Sequence, residues 1–66
     1  MKKGNIKSLV QDRGFGFVRD DSGTDFFFHA TGCITAFNSL IVGQRVTFDL
    51  VSENSGRVRA YKVEQM

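Results

Sequence analysis

The sequence predicts an all-β domain, a five-stranded antiparallel barrel. Short runs rich in Phe, Val and Ile alternate with turn signals along the chain. No apolar set recurs at the i, i+3, i+4, i+7 spacing of an amphipathic helix. Period-two alternation is easy to find instead, as in the run VTFDL at 46–50. These observations favour strands over helices throughout.

The five strands are predicted at 3–10, 15–20, 25–29, 44–51 and 57–64. The turn signals between them are QDRG at 11–14, DDSG at 20–23, NS at 38–39 and SENSG at 52–56. The longer connection, 30–43, has room for one short helical turn. The predicted core consists of Ile6, Val18, Phe26, Phe28, Val46, Phe48, Leu50 and Val63.

Closure of the sheet is expected because an open five-stranded sheet would expose two edges. A barrel removes both edges, and an OB-type barrel is the natural small form. Gly4, Gly14 and Gly16 lie in or beside the predicted strands, where glycine marks a sharp bend or a close backbone approach. With 66 residues, we expect one domain, 1–66.

Composition excludes several function classes. One cysteine, Cys33, and one histidine, His29, form neither an intramolecular disulfide nor a structural zinc site. No nucleophile or carboxylate set accompanies His29, so we expect no enzyme, cofactor or metal site. The apolar runs 26–28 and 40–42 are far too short to span a membrane, and residues 1–7 lack an apolar signal core. We therefore expect a cytoplasmic protein, and its net charge of +2 is compatible with a polyanionic partner.

The second and third strands carry an unusual alternation. A small core needs the apolar set Val18, Phe26 and Phe28. Because side chains alternate along a strand, the opposite face then carries Phe15, Phe17, Arg19, Asp25, Phe27 and His29. Exposed rings bordered by charge indicate a binding surface, and stacking on such rings suits single-stranded nucleic acid. In the alternative interpretation, a bulge breaks the alternation and the rings belong to the core.

Four segments in order resemble the cold shock domain family. RGFGFV at 13–18 resembles the family motif KGFGFI, and DFFFHA at 25–30 resembles DVFVHF. GNIK at 4–7 and GQRVTF at 43–48 match two further family segments. The resemblance spans nearly the whole chain. It implies a five-stranded OB barrel that binds single-stranded RNA and DNA without enzymatic activity, often as an RNA chaperone or a regulator of transcription or translation.

The resemblance also implies a set of nucleic-acid-binding residues: Lys7, Arg13, Phe15, Phe17, Phe27, His29 and Phe37. Phe37 has an alternative role, because a loop phenylalanine often fastens its loop to the barrel. Two aromatic positions of the family are absent, since SLV at 8–10 replaces Trp-Phe-Asn and Ala30 replaces Phe. The basic residues of the last strand are expected to compensate in part: Arg57, Arg59 and Lys62.

A second hypothesis is a protein-interaction module with weakened nucleic-acid binding. The missing aromatic residues motivate it, and the residues available for a partner protein or a homodimer are Leu9, Val10, Ile41 and Val42. The simpler interpretation of these four side chains is that they close the floor of the barrel.

Overall fold

A computed structural model of the chain describes residues 1–53 and 56–66. Its strands are β1 (Lys2–Val10), β2 (Phe15–Asp20), β3 (Asp25–His29), β4 (Arg45–Ser52) and β5 (Val58–Gln65). Each predicted strand is present, with both ends within one residue of the prediction. The predicted turn at 52–56 lies partly outside the described residues, because 54 and 55 are not among them.

The strands close into a barrel in the order β1-β2-β3-β5-β4. Four of the seams are antiparallel, but β3 and β5 pair in parallel, so the fully antiparallel prediction is wrong at one seam. The reason is geometric. Strand directions cannot alternate all the way round a closed ring with an odd number of strands. One parallel seam is therefore required, and here it lies beside the proposed binding face.

The connection between β3 and β4 contains two 3-10 turns, Ala30–Gly32 and Phe37–Ser39, where one was predicted. Its backbone is tied to β5, because the Ile34 amide donates to the Val63 carbonyl at 2.8 Å. The loop also contributes the fully buried Leu40 to the core. It therefore covers one end of the barrel. Among the described residues, the structure has no helix with the length and apolar character needed to cross a membrane.

The core consists of Ile6, Val18, Phe28, Leu40, Val46, Phe48, Ala60 and Val63. Six of these were predicted from alternation. Phe26 and Leu50, also predicted, are only partly buried and pack against the core. Ala60 was not predicted, because one alanine between Arg59 and Tyr61 gives no apolar pattern. Its register opposite Phe28 and Leu50 puts it inside.

A bulge in β1 decides which of its side chains face outward. The pairing with β2 shifts between Ile6 and Ser8, so that Ser8 lies opposite Phe17 and Val10 opposite Phe15. Directly paired residues share a face of the sheet. Ser8 and Val10 therefore lie on the face of the phenylalanines, whereas Leu9 packs against the core.

Close approach of β1 to β2 requires Gly16. A Cβ there would lie 2.5 Å from the Ser8 carbonyl oxygen and 3.1 Å from the Phe28 ring. We expect Gly16→Ala to lower the free energy of unfolding by about 1–3 kcal/mol, as overpacking of a rigid core does. Urea denaturation followed by circular dichroism measures this change.

Gly32→Ala is the matched control, because a Cβ at Gly32 would come no closer than 3.5 Å to Tyr61. It should change the free energy of unfolding by less than about 1 kcal/mol. Equal stability of Gly16→Ala and the unsubstituted protein would contradict the packing described for this seam.

Candidate nucleic-acid interface

Three phenylalanine rings meet on the outer face of β2 and β3. The register places Phe17 opposite Phe27 and Phe15 opposite His29. The ring centroids of Phe15 and Phe27 are 5.5 Å apart, those of Phe17 and Phe27 are 6.0 Å apart, and those of Phe15 and Phe17 are 6.4 Å apart. We call Phe15, Phe17, Phe27 and His29 the aromatic surface.

The aromatic surface lies outside the core. Val18 and Phe28 are fully buried, whereas Phe17 is 38% exposed and Phe15 and Phe27 are half-buried. Residues 15–19 pair with 25–29 without a shift, so the alternation predicted from the sequence holds. The alternative, in which a bulge turns these rings into core residues, is wrong for this pair of strands. The bulge lies in β1 instead.

His29 is held by the first residues of the loop that follows it. The Thr31 amide donates to His29 Nδ1 at 3.2 Å, and Thr31 Oγ1 lies 3.0 Å from the same nitrogen. Since a backbone N–H only donates, Nδ1 accepts, and the proton of the neutral ring lies on Nε2. The ring therefore has a fixed orientation and a donor at Nε2.

Two cations share one carboxylate beside the rings. Lys7 Nζ lies 2.6 Å from Asp25 Oδ2, and Arg19 Nε lies 2.8 Å from Asp25 Oδ1. The hydrogen bond from Arg19, followed by that from Lys7, lowers the pKa of Asp25 to about 2. The three charges sum to +1 at neutral pH. Asp25 thus holds Lys7 and Arg19 at the edge of the aromatic surface, and the cluster of three residues keeps a net positive charge.

Further cations lie on two other sides of the aromatic surface. Arg13 is exposed in the turn that leads into Phe15. Arg59 of β5 lies opposite Phe27 across the parallel seam, with its Nε 3.2 Å from Glu53 Oε1. The rings are therefore bordered by positive charge from β1, β2 and β5.

Phe37, the remaining predicted site residue, packs from its 3-10 turn against the buried Phe28, with ring centroids 6.1 Å apart. One side of its ring thus fastens the loop to the barrel, and contact of the other side with a base stays a prediction. Ser8 and Ala30, which replace aromatic residues of the resembled motifs, are half-buried. Ser8 pairs with Phe17, and Ala30 directly follows His29. The small side chains at these two positions present no ring.

The four apolar residues considered for a partner protein do not form one patch. Leu9, Ile41 and Val42 border a common open groove, but Val10 lies on the face of Phe15. Ile41 and Val42 are 67% and 58% exposed, so they do not close the floor of the barrel. Leu40 is the buried residue of that run.

Ligand sets for other chemistry are scarce in the described part of the chain. Residues 1–53 and 56–66 contain no group of three or more His, Cys, Asp or Glu side chains able to hold a metal ion. Burial raises the pKa of the Cys33 thiol, whose Sγ donates weakly to the His29 carbonyl oxygen at 3.6 Å. This thiol is protonated at neutral pH and is a poor nucleophile.

A family model, two curated proteins and a solved structure similar to this chain agree with one another. The family model described as 'Cold-shock' DNA-binding domain matches residues 2–66. The chain is 39% identical to Cold shock protein 1 of Lactiplantibacillus plantarum, over 98% of this chain and 100% of that protein. It is 41% identical to Cold shock protein CspA of Rhizobium meliloti, over 91% of each. A solved structure described as drosophila Unr CSD456 superposes with a TM-score of 0.80 at 27% identity, covering 98% of this chain and 26% of that one.

The Asp25 carboxylate should titrate unusually low. Its pKa of about 2 lies below the ordinary value of 3.8 because Arg19 and Lys7 bind the charged form. Because this pKa is lower in the folded state, the ion pairs of Asp25 with Arg19 and Lys7 stabilise the fold above pH 3.8. This stabilisation is lost as the pH falls toward 2. Carbon-detected NMR of the Asp25 carboxyl group measures the midpoint directly.

Arg19→Gln removes the larger cause and should raise the Asp25 midpoint toward 3.8. Arg45→Gln is the matched control, because Arg45 pairs with Asp21 and not with Asp25. A midpoint near 3.8 in the unsubstituted protein would show that the shared pairing does not persist in solution.

Proposed function

Because this chain belongs to the cold-shock domain family, matched over residues 2–66, it is a single-stranded nucleic-acid-binding protein, and we propose that it binds by stacking bases on the aromatic surface. The observation that supports this mode is the three-ring cluster of Phe15, Phe17 and Phe27, outside a core that Val18 and Phe28 fill. Every base has a π-face, so such a surface accepts a strand with little regard to sequence.

The rings supply the stacking part of the proposed affinity. Stacking of one base on an aromatic side chain contributes about 1–3 kcal/mol. Phe17 is the most exposed of the three rings and contacts both of the others edge-on. His29 adds a further ring, with Nε2 as a donor for a base edge. We expect two or three bases to stack on this surface.

Phosphates are the proposed partners of Lys7, Arg13 and Arg19. Lys7 and Arg19 already pair with Asp25, but they carry two positive charges against one negative. A phosphate can therefore bind beside this cluster without leaving a bare carboxylate. For single strands, each phosphate contact makes log K fall with log salt at a slope of about −0.7.

The consequence in the cell is passive. A protein that binds unpaired strands and not duplexes shifts the equilibrium toward the unpaired form by mass action. We propose an RNA chaperone or a regulator of transcription or translation in the cytoplasm, acting on RNA or DNA without enzymatic turnover. Its activity would depend on concentration and salt, since binding alone does the work.

A protein-interaction module in place of nucleic-acid binding is not favoured, because the family match spans nearly the whole chain. Self-association alongside nucleic-acid binding is a narrower proposal. It rests on the exposed Ile41 and Val42 at the groove bordered by Leu9, with Val10 on the other face. Sedimentation at increasing concentration tests it, and a monomer at every concentration would end it.

Phe17→Ala should weaken binding of a fluorescein-labelled oligothymidylate about 5- to 150-fold, because one stacking platform worth about 1–3 kcal/mol is removed. The free energy of unfolding should change little, since the ring is exposed outside the core. Anisotropy titration at two salt concentrations gives both the affinity and its salt slope.

Ile41→Ala is the control for loss of an exposed apolar side chain, and it should leave the affinity unchanged because Ile41 borders the separate groove. Unchanged affinity in Phe17→Ala, with a large loss of stability, would place the ring in the core and refute the stacking mode.

A further inference from the structure

A concave region lies beside the aromatic surface, across the parallel seam between β3 and β5. It encloses about 290 Å³. Its border is formed by His29, Thr31, Gly32, Val51, Arg59 and Tyr61. His29 belongs to both regions, so the depression and the aromatic surface are continuous. We call this depression the Tyr61 pocket.

The register of β5 explains why Tyr61 and Arg59 face outward here. In the parallel seam, Phe27 lies opposite Arg59 and Phe28 lies opposite Ala60. Phe28 and Ala60 are both in the core. By alternation, Arg59 and Tyr61 on either side of Ala60 must lie on the outer face, beside Phe27 and His29. The outer face therefore continues from the rings of β2 and β3 onto β5.

The groups around the pocket suit one nucleotide. Tyr61 supplies a half-buried aromatic ring, and Lys62 Nζ lies 5.6 Å from its centroid. Arg59 supplies a cation whose side chain is 45% exposed. Its ion pair with Glu53 is a surface pair. His29 and Thr31, which also border the pocket, supply hydrogen-bonding groups. An aromatic face, a cation and polar edges are what a base with its phosphate requires.

We propose that the Tyr61 pocket binds one further nucleotide of the strand that stacks on the aromatic surface, with its base on Tyr61 and its phosphate at Arg59. This proposal rests on the proposed function, since it extends the path of the same strand. The path is short, because neighbouring strands lie about 4.8 Å apart and Arg59 pairs directly with Phe27. A chain leaving Phe27 therefore reaches the pocket after crossing one seam.

The length of the oligonucleotide distinguishes binding at the aromatic surface alone from binding that includes the Tyr61 pocket. A strand of about 3 nucleotides fills the aromatic surface alone, because that surface stacks two or three bases, whereas one of about 10 nucleotides also reaches β5 and lies within the range of lengths that OB folds bind. Tyr61 is the single tyrosine of the chain, and the chain has no tryptophan. Fluorescence excited at wavelengths that phenylalanine does not absorb therefore reports on this ring alone, and stacking of a base on it quenches the emission.

Fluorescein-labelled oligothymidylates of these two lengths are titrated into the full chain and its Tyr61 variants. Tyr61→Leu should weaken binding of the oligomer of about 10 nucleotides at least about fivefold, the lower limit for one stacked base. Binding of the oligomer of about 3 nucleotides should stay within about twofold, because the aromatic surface is intact. Tyr61→Phe keeps the ring and should bind both lengths like the unsubstituted protein. With unlabelled strands of the same two lengths, quenching of Tyr61 should accompany only the longer strand.

Arg59→Gln tests the phosphate contact. It should reduce the salt slope for the longer strand by about 0.7, the value for one lost contact with a single strand. Arg45→Gln is the matched control, because Arg45 pairs with Asp21 and does not border the pocket. Its salt slope should equal that of the unsubstituted protein. Thermal unfolding of each variant is measured to check that the barrel is folded.

Equal affinity of Tyr61→Leu and the unsubstituted protein for the longer strand would overturn the proposal, as would an equal loss for both lengths. Neither result affects the stacking mode on the aromatic surface, which is judged by Phe17→Ala. Failure of Phe17→Ala to weaken either strand would instead refute the proposed mode itself. The two proposals can thus fail separately.

Discussion

Side-chain alternation in β2 and β3 is the constraint on which the other features depend. A core of so few residues needs Val18 and Phe28, and both are fully buried. Because the pairing of β2 with β3 runs without a shift, the other face of these strands, which carries Phe15, Phe17 and Phe27, must point outward. A one-residue slip of either strand would turn Arg19 or Asp25 toward the core and expose Val18 or Phe28. Stability of the barrel therefore keeps the aromatic surface outside.

The charges around that surface follow from the same geometry. Arg19 and Asp25 are direct partners across β2 and β3, and the bulge in β1 brings Lys7 within 2.6 Å of the same carboxylate. An exposed cation on a long side chain would otherwise sample many positions. Pairing with Asp25 narrows that range before any ligand arrives, which lowers the ordering cost of binding. One acidic residue thus organises two basic ones.

Local pattern was enough to predict the strands and the outward face, since alternation is a property of each strand alone. Phe17 and Phe27 could be placed for that reason. Features that depend on which strands meet could not be predicted, and the parallel seam that joins Tyr61 to His29 is the main example. The contact of Lys7 with Asp25 depends on a bulge in β1 that no residue type in the sequence indicates. The Leu40 contact with the core depends on the path of a long loop.

Contact between bases and the three rings is the central claim, and intermolecular NOEs in a complex with an oligothymidylate test it most directly. Ring protons of Phe15, Phe17 and Phe27 should show NOEs to base protons of the strand. Those of Phe28 and Phe48, which are fully buried, should show none. Base contacts made only by residues outside the aromatic surface, with these three rings unperturbed, would contradict the account.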